Sequence, residues 1–452
     1  MASTYLTRTE SSGNRKTGTL SFWVKRSGLG NGSNNQYVYS NWNTSVGGYL
    51  SGLVQFSAAD RFEFANYQES GTGTHTNLVP NRVFRDTSAW YHIVVNWDTT
   101  QATSSDRYKM YINGVQETSF QQANYPSLNE DLYFNIGGAS NPVVIGSNYG
   151  NSNYFDGSMS HYHWIDGTAY DATAFGEFDA NGVWKIKTDV SVNYGTNGFF
   201  ILKDGNSITD QSGNGNNFTV AGGTLTNTED NPSNVFATFN PLASKVIGTV
   251  GFTIENGNTV FNPSSGTNQF TTSTICTPST GKFYWEMKST SSSGGDWPDI
   301  GLMFTDSIST HMAATGNPQH NFSYAAGIEA NGTRWAFGTQ TLNWFGGFNN
   351  NDIITFAVDV GAGKLWWGVN GAWLNSGDPA NGTNAGATFT AGTSITAWVE
   401  QYNVGDVQAN FGNGYFGTTA VSSAGTNASG IGIFEYDVPT GYTALSTKGL
   451  NL

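Results

Sequence analysis

A chain of 452 residues is too long for one ordinary domain and suits two or three, each able to bury its own core. Fifty-seven glycines and only 12% charged residues would suit a disordered chain, but 14% aromatic residues demand a buried interior, so many short strands joined by tight turns are expected. A net charge of −14 with 19 Lys plus Arg leaves no basic stripe to neutralise phosphates, so neither nucleic acid nor an anionic membrane surface is an expected partner.

Cys276 is the single cysteine, which excludes an intrachain disulfide, and Met1 to Leu20 lacks the apolar stretch of a secretory signal. No run of about 18 apolar residues occurs that would span a membrane. The expectation is a chain made and folded in a cytoplasm that reaches the outside by lysis or as part of a particle.

Helical spacing of apolar residues is nearly absent, whereas short alternating or aromatic-rich runs recur between Gly, Asn and Asp clusters. In chain order, strands are predicted at Leu20 to Lys25, Tyr91 to Trp97, Tyr108 to Ile112 and Val143 to Ile145. A polar segment rich in Asn, Gly, Ser and Thr follows, with weaker strand signals at Gly198 to Leu202 and Asn217 to Val220. Strands resume at Phe283 to Met287, Ile353 to Val358 and Leu365 to Val369, and the polar tract Thr418 to Gly430 reads as a long loop.

Asn113-Gly114 and Asn370-Gly371 each supply the two positive-φ residues of a type I′ turn and mark hairpin tips. Asp98 precedes the first hairpin strand across a polar loop and Asp359 the second, so both halves carry the same "strand, Asp, loop, strand, Asn-Gly" unit. The fold expected is all-β: two tandem antiparallel sandwiches at residues 1–190 and 246–452, joined by a Gly/Asn-rich connector at 191–245.

Leu20 to Lys25 (LSFWVK), Ala89 to Asp98 (AWYHIVVNWD), Lys109 to Val115 (KMYINGV) and Tyr154 to Gly176 together resemble laminin-G and concanavalin-A-like lectin sandwiches. Gly281 to Met287 (GKFYWEM), Asp299 to Met303, Asp352 to Gly371, Gln408 to Gly412 and Gly441 to Ser446 resemble SPRY-type sandwiches. The pairing, with the opening YLTRTESSGNRKTGTLSFWVKRS and the link DQSGNGNNFT, is similar to lectin-like proteins of bacteriophages, especially marine ones. That resemblance implies a virion-surface protein, a tail fibre or spike subunit, that meets other tail or capsid proteins. It further implies a homo-oligomer, a trimer, that shows its domains to host surface carbohydrate. A head decoration fibre is the nearest alternative, and a polysaccharide-degrading enzyme the next.

Glycosidases of concanavalin-like fold place two carboxylates beside the sugar, commonly as Glu-x-Asp-x-Glu along one strand face. No such run occurs, and Glu177 and Asp179 sit in the turn-like GEFDANG, so no catalytic residue is assigned. No nucleophile elbow accompanies the six histidines, and Cys276 reads as a buried inert thiol in a strand-like run. His161 and His163 are spaced to share a strand face, as metal ligands would, but lack a third ligand. Asp210, Asn214 and Asn216 alternate oxygen donors with glycines, as a calcium loop would, or as a hydrogen-bonded turn would. Aromatic side chains stack on sugar rings, so the candidate glycan contacts are Trp42, Tyr49 and Tyr67 in the first domain and Trp297, Trp335 and Trp344 in the second.

Overall fold

The computed structural model describes residues 3–30, 34–43, 50–68, 75–138, 141–149, 152–203, 207–247, 251–264, 268–291, 298–313, 322–402 and 405–451, with backbone alone at 42, 43, 50, 68 and 247. The chain forms two compact units, Met1–Asn227 and Thr228–Leu452. Among the described residues the single α-helix is Ile308–Ala313, and no helix is long and apolar enough to cross a membrane.

A strand forms at every stretch predicted above, and the longer ones do so by alternating large inward side chains with outward ones. In Tyr91–Asp98 the inward residues Ile93, Val95 and Trp97 are fully buried in the core, and His92, Val94 and Asn96 point the other way. The first unit stacks two antiparallel sheets. Eight strands run in the order Phe120–Asn124, His75–Pro80, Phe62–Gln68, Leu50–Phe56, Gln36–Asn43, Val143–Ile145, Tyr5–Arg8 and Thr219–Gly222. Six run in the order Phe199–Ile201, Gly157–Asp166, Thr17–Arg26, Tyr91–Asp98, Tyr108–Ile112 and Val115–Gln116. Between the sheets lies a stack of rings, with Tyr39 flat on Trp164 at 4.6 Å and Phe64 on Phe134 at 4.9 Å.

Residues 191–245 do not stand apart as a connector. Phe199–Ile201 pairs with Gly157–Asp166 and Thr219–Gly222 pairs with Tyr5–Arg8, so the segment closes both sheets of the first unit. Phe239–Ile247 already belongs to the second unit, paired with Asn268–Ser273. The composition looked like a linker because these edge strands are short and their turns are built from Asn and Gly.

The second unit also stacks two sheets. Seven strands run from Phe239–Ile247 through Asn268–Ser273, Ile395–Gln401, Asp299–Phe304, Ala325–Glu329 and Arg334–Ala336 to Thr339–Thr341. The other sheet has nine, centred on Lys282–Ser289, which pairs with Ile353–Asp359 and Val407–Asn410. The far face of this sheet is covered by the chain after Gly430, where Phe434, Val438 and Tyr442 pack on Tyr284, Ala357 and Trp366. Glu286 clamps that cover: its carboxylate accepts from the Glu435 and Tyr436 amides at 2.9 Å each, from the Tyr284 hydroxyl at 2.9 Å and from Asn410 Nδ2 at 3.2 Å. Cys276, expected inside a strand, lies half-buried in the loop after Asn268–Ser273.

Both Asn-Gly pairs form the expected turns, with φ of 48° and 79° at Asn113 and Gly114 and of 49° and 80° at Asn370 and Gly371. Each Asn side chain also closes its hairpin, accepting the amide of His92 at 2.8 Å or of Ile353 at 2.9 Å. A side chain on Gly114 would collide with Trp184, and one on Gly371 with Tyr436. Gly114→Val and Gly371→Val are therefore each expected to destabilise their own unit by about 2–4 kcal/mol in chemical denaturation, through positive-φ strain plus the collision.

Burial raises the pKa of Glu286 to about 7, and the four donors only partly offset this. The unfolded chain ionises near 4.5 and the folded chain near 7, so the stability tied to the protonated carboxyl is full below 4.5 and is lost as pH rises through 7. Relative to Glu286→Gln, the wild-type second unit should gain less stability at pH 7.5 than at pH 5. An unchanged difference would remove this coupling.

Candidate functional site

Alternation in the eight-stranded sheet sends Val54, Phe56, Phe62, Phe64 and Leu78 into the core. It sends Gln55, Glu63, Tyr67, His75 and Asn77 to the opposite face, where register joins Gln55 to Glu63, Ala65 to Asn77 and Tyr67 to His75. At the edge, Gln122 pairs with Val79 and Asn124 with Asn77.

These side chains form one hydrogen-bonded patch. Glu63 accepts from Gln55 Nε2 at 2.7 Å and from Asn77 Nδ2 at 3.1 Å, and lies 3.7 Å from His75 Nε2. Asn77 also donates to Gln122 Oε1 at 2.7 Å and accepts from Asn124 Nδ2 at 2.8 Å. Burial raises the Glu63 pKa, but His75, Gln55 and Asn77 outweigh it and hold the carboxyl below its ordinary range. Tyr67 meets His75 edge to face at 5.3 Å and flanks one side of the patch. Tyr37, paired with Gln55, flanks the other. Asn77 is fully buried, whereas Gln122 and Asn124 are exposed. The result is a row of fixed amides and one carboxylate, open at the sheet edge, with tyrosines on both sides.

Of the aromatic candidates, Tyr67 belongs to this patch. Tyr49 and Trp297 lie outside the described residues, as does the side chain of Trp42, whose backbone pairs with Ser51. Trp344 packs against the second core, edge-on to Trp367 at 5.7 Å and beneath the Arg334 guanidinium at 5.0 Å. Trp335 donates to Glu329 at 2.6 Å. The structure therefore does not bring Trp335 and Trp344 together as one platform.

Asp210, Asn214 and Asn216 do come together, as a hydrogen-bonded turn. The Asp210 carboxylate accepts four donors at 2.8–2.9 Å: the amides of Phe200, Ser212 and Asn216 and the Ser212 hydroxyl. Asn214 and Asn216 each donate to the Gly198 carbonyl, at 2.9 and 2.8 Å. Among the described residues no group of three or more His, Cys, Asp or Glu is arranged to hold a metal. Asp210→Ala should cost the first unit about 2–4 kcal/mol through four lost acceptor contacts, and a calcium chelator should leave the wild type's melting temperature unchanged. A chelator-induced drop that is absent from the variant would contradict this.

The expected shared face of His161 and His163 is broken by a bulge between Ser160 and His163, where His161 takes φ 47°. His163 bonds the Tyr194 hydroxyl at 2.9 Å and stacks on Phe200 at 3.9 Å. Further along the same sheet, the fully buried His92 lies 2.9 Å from Ser21 Oγ, is stacked by Trp23 at 4.8 Å and accepts from Trp184 Nε1 at 2.9 Å. Burial pulls its pKa down to about 3. Both ring nitrogens are engaged, so this serine and histidine are packing partners. Glu177 is exposed on the hairpin that carries Trp184, and Asp179 accepts the Asn181 and Val183 amides that form its turn.

Carboxylates sought along one strand occur instead across three. In the second unit Asp299 lies directly opposite both Glu329 and Glu400 in register, on adjacent strands. Asn268 Nδ2 holds Glu400 at 2.7 Å, Trp335 and Asn331 hold Glu329, and all three acids are at most 4% exposed. A spacing rule within one strand cannot reveal such a row.

Residues 1–173 match the family described as the Concanavalin A-like lectin/glucanases superfamily, of laminin G type. No curated protein matches the chain. Among solved structures, the SPRY domain of human HERC1 is similar at 17% identity, over 38% of this chain and 96% of that one, with a TM-score of 0.30. The TRIM65 PSpry domain is similar at 10% identity over 38% and 88%, with a TM-score of 0.28. The native heptameric SAP-like pentraxin from Limulus polyphemus is similar at 15% identity over 37% and 71%, with a TM-score of 0.25. Residues 1–173 are thus similar to laminin G and concanavalin A-like lectin domains.

Proposed function

We propose that this chain is a non-enzymatic glycan-binding subunit displayed on a virion surface, as part of a tail fibre or spike that contacts host carbohydrate. The observation that carries the glycan role is the exposed edge pair Gln122 and Asn124 on a lectin-type sheet, held in place by the buried Asn77 and, through it, by Glu63 and Gln55. Side-chain amides and a carboxylate offer donors and acceptors to vicinal hydroxyls, and their mutual hydrogen bonds fix them before a ligand arrives, which lowers the entropy cost of binding. The flanking tyrosines supply ring faces and edges for the apolar side of a sugar. The virion role, the trimeric homo-oligomer and the tail and capsid partners rest on the resemblance of the opening segment and the tandem arrangement. Head decoration is the alternative position within the same particle.

A second reading, cleavage of polysaccharide, is favoured by the Asp299, Glu329 and Glu400 row. Its burial and existing partners weigh against it, because a general acid must reach the glycosidic oxygen.

Purified protein should bind host cells or their surface polysaccharide and release no reducing sugar. Gln122→Ala, Asn124→Ala and Tyr67→Ala should each weaken binding roughly tenfold while the melting temperature stays within a few degrees. Reducing sugar lost on Asp299→Asn would establish the enzyme reading instead. Antibody labelling of intact particles should mark the tail; label on the head alone would assign decoration.

A further inference from the structure

Asparagine precedes glycine at ten places in this chain, nine of them among the described residues. Such a pair can modify itself, because glycine has no side chain to shield its amide nitrogen from the neighbouring asparagine Cγ. A hydrogen bond that holds the asparagine side chain must open first, and each such bond slows the reaction roughly fivefold.

Seven of the nine side chains are held. Asn113 and Asn370 close their hairpins, and Asn214 donates to the Gly198 carbonyl. Asn197 donates to the Ser11 carbonyl at 2.6 Å, Asn331 to Glu329 at 2.9 Å and Asn381 to Asp378 at 2.7 Å, and Asn413 accepts the Phe411 amide at 3.2 Å. Asn181 and Asn256 remain, and their glycines differ. The Gly182 amide is tied to the Asp179 carbonyl at 2.9 Å. Neither the Asn256 side chain nor the Gly257 amide is held by a hydrogen bond among the described residues. Nothing lies within 4 Å of the place that a Gly257 Cβ would take.

The turn also carries a group that favours the reaction. Asn256 follows Thr253–Glu255 and precedes Val260–Asn262, the hairpin at one edge of the nine-stranded sheet. The Thr259 hydroxyl donates to the Asn256 carbonyl at 2.7 Å. When the Gly257 nitrogen loses its proton, the negative charge is shared with that carbonyl oxygen, so a hydroxyl already aimed at it stabilises the reacting anion.

We infer that Asn256 is the site at which this chain converts spontaneously to aspartate and isoaspartate, assisted by the Thr259 hydroxyl. The Gly257 nitrogen gives its proton to water and its electron pair forms a bond to Asn256 Cγ; the Cγ–Nδ2 bond breaks and ammonia leaves. Water then opens the cyclic imide at its main-chain carbonyl to give isoaspartate, or at its side-chain carbonyl to give aspartate, with no change of oxidation state. Isoaspartate lengthens the main chain and adds a carboxylate next to Glu255. The turn cannot simply shift to absorb this, because the Phe239 amide holds the Asn258 carbonyl and the Ala409 amide holds the Thr259 carbonyl, each at 2.8 Å. Aged protein therefore carries a loosened hairpin in the second unit, whatever the first unit binds.

Timed incubation of the full chain at mildly alkaline pH, followed by peptide mass spectrometry and labelling with isoaspartyl methyltransferase, tests this. The peptide that holds Asn256 should gain about one mass unit roughly fivefold faster than the Asn181 peptide, and faster still than the other described pairs. Thr259→Val should slow the change at Asn256 roughly fivefold, and Thr259→Ser, which keeps the hydroxyl, should restore it. In concentrated urea the pairs should react at similar rates and Thr259→Val should have no effect, because the selectivity belongs to the fold. Earlier modification at Asn113 or Asn370, equal rates at every pair in the folded chain, or an unchanged Asn256 rate in folded Thr259→Val would each overturn the inference.

Discussion

Side-chain alternation in paired strands is the constraint on which the rest of this structure depends. Each sheet spends one face on the core, so whatever the protein does must be done by the other face or by the rims. Three outer faces are dealt with differently. On the six-stranded sheet, His92 lies under Trp184 and Trp23. On the nine-stranded sheet, the chain after Gly430 forms the cover, clamped through Glu286. The eight-stranded sheet carries a polar network whose edge residues Gln122 and Asn124 are exposed. Covered faces are closed by aromatic side chains, whereas this one carries a polar network exposed at its edge through Gln122 and Asn124, which is why that edge is the binding candidate.

Much of the fold was legible in the sequence, because strands announce themselves through local alternation and the two Asn-Gly turns through a backbone conformation few residue pairs adopt. The connector was not, since Phe199–Ile201 and Thr219–Gly222 draw their stability from strands about 40 and 210 residues away in sequence, and short polar-flanked edges look like linker when read alone. The site was legible only in part. Tyr67 was identified from residue type, but Gln55, Glu63 and Asn77 are ordinary outward positions until register sets them side by side. The alternation VQF, FEF and TNL marks each as outward; what no local pattern gives is which strands are neighbours.

The candidate motifs share an ambiguity. Asp and Asn serve metals, sugars and backbone amides through the same oxygen and nitrogen atoms, and only the surrounding donors decide between these roles. At Asp210 four hydrogen-bond donors already converge on the carboxylate. At Glu63 the donors include the side-chain amides of Gln55 and Asn77, of which Asn77 is linked onward to the exposed edge. Tryptophan is equally ambiguous, and Trp344 belongs to the second core because Trp367 and Arg334 meet both its edge and its face.

Mapping an oligosaccharide of the host surface onto the full chain by amide and side-chain NMR tests most directly the proposal that the outer face of the eight-stranded sheet binds carbohydrate. Binding there should place the largest shifts on the side-chain amides of Gln55, Asn77, Gln122 and Asn124 and on the rings of Tyr67 and His75. Saturable binding that leaves those six residues unshifted and perturbs only the loops or the second unit would contradict it.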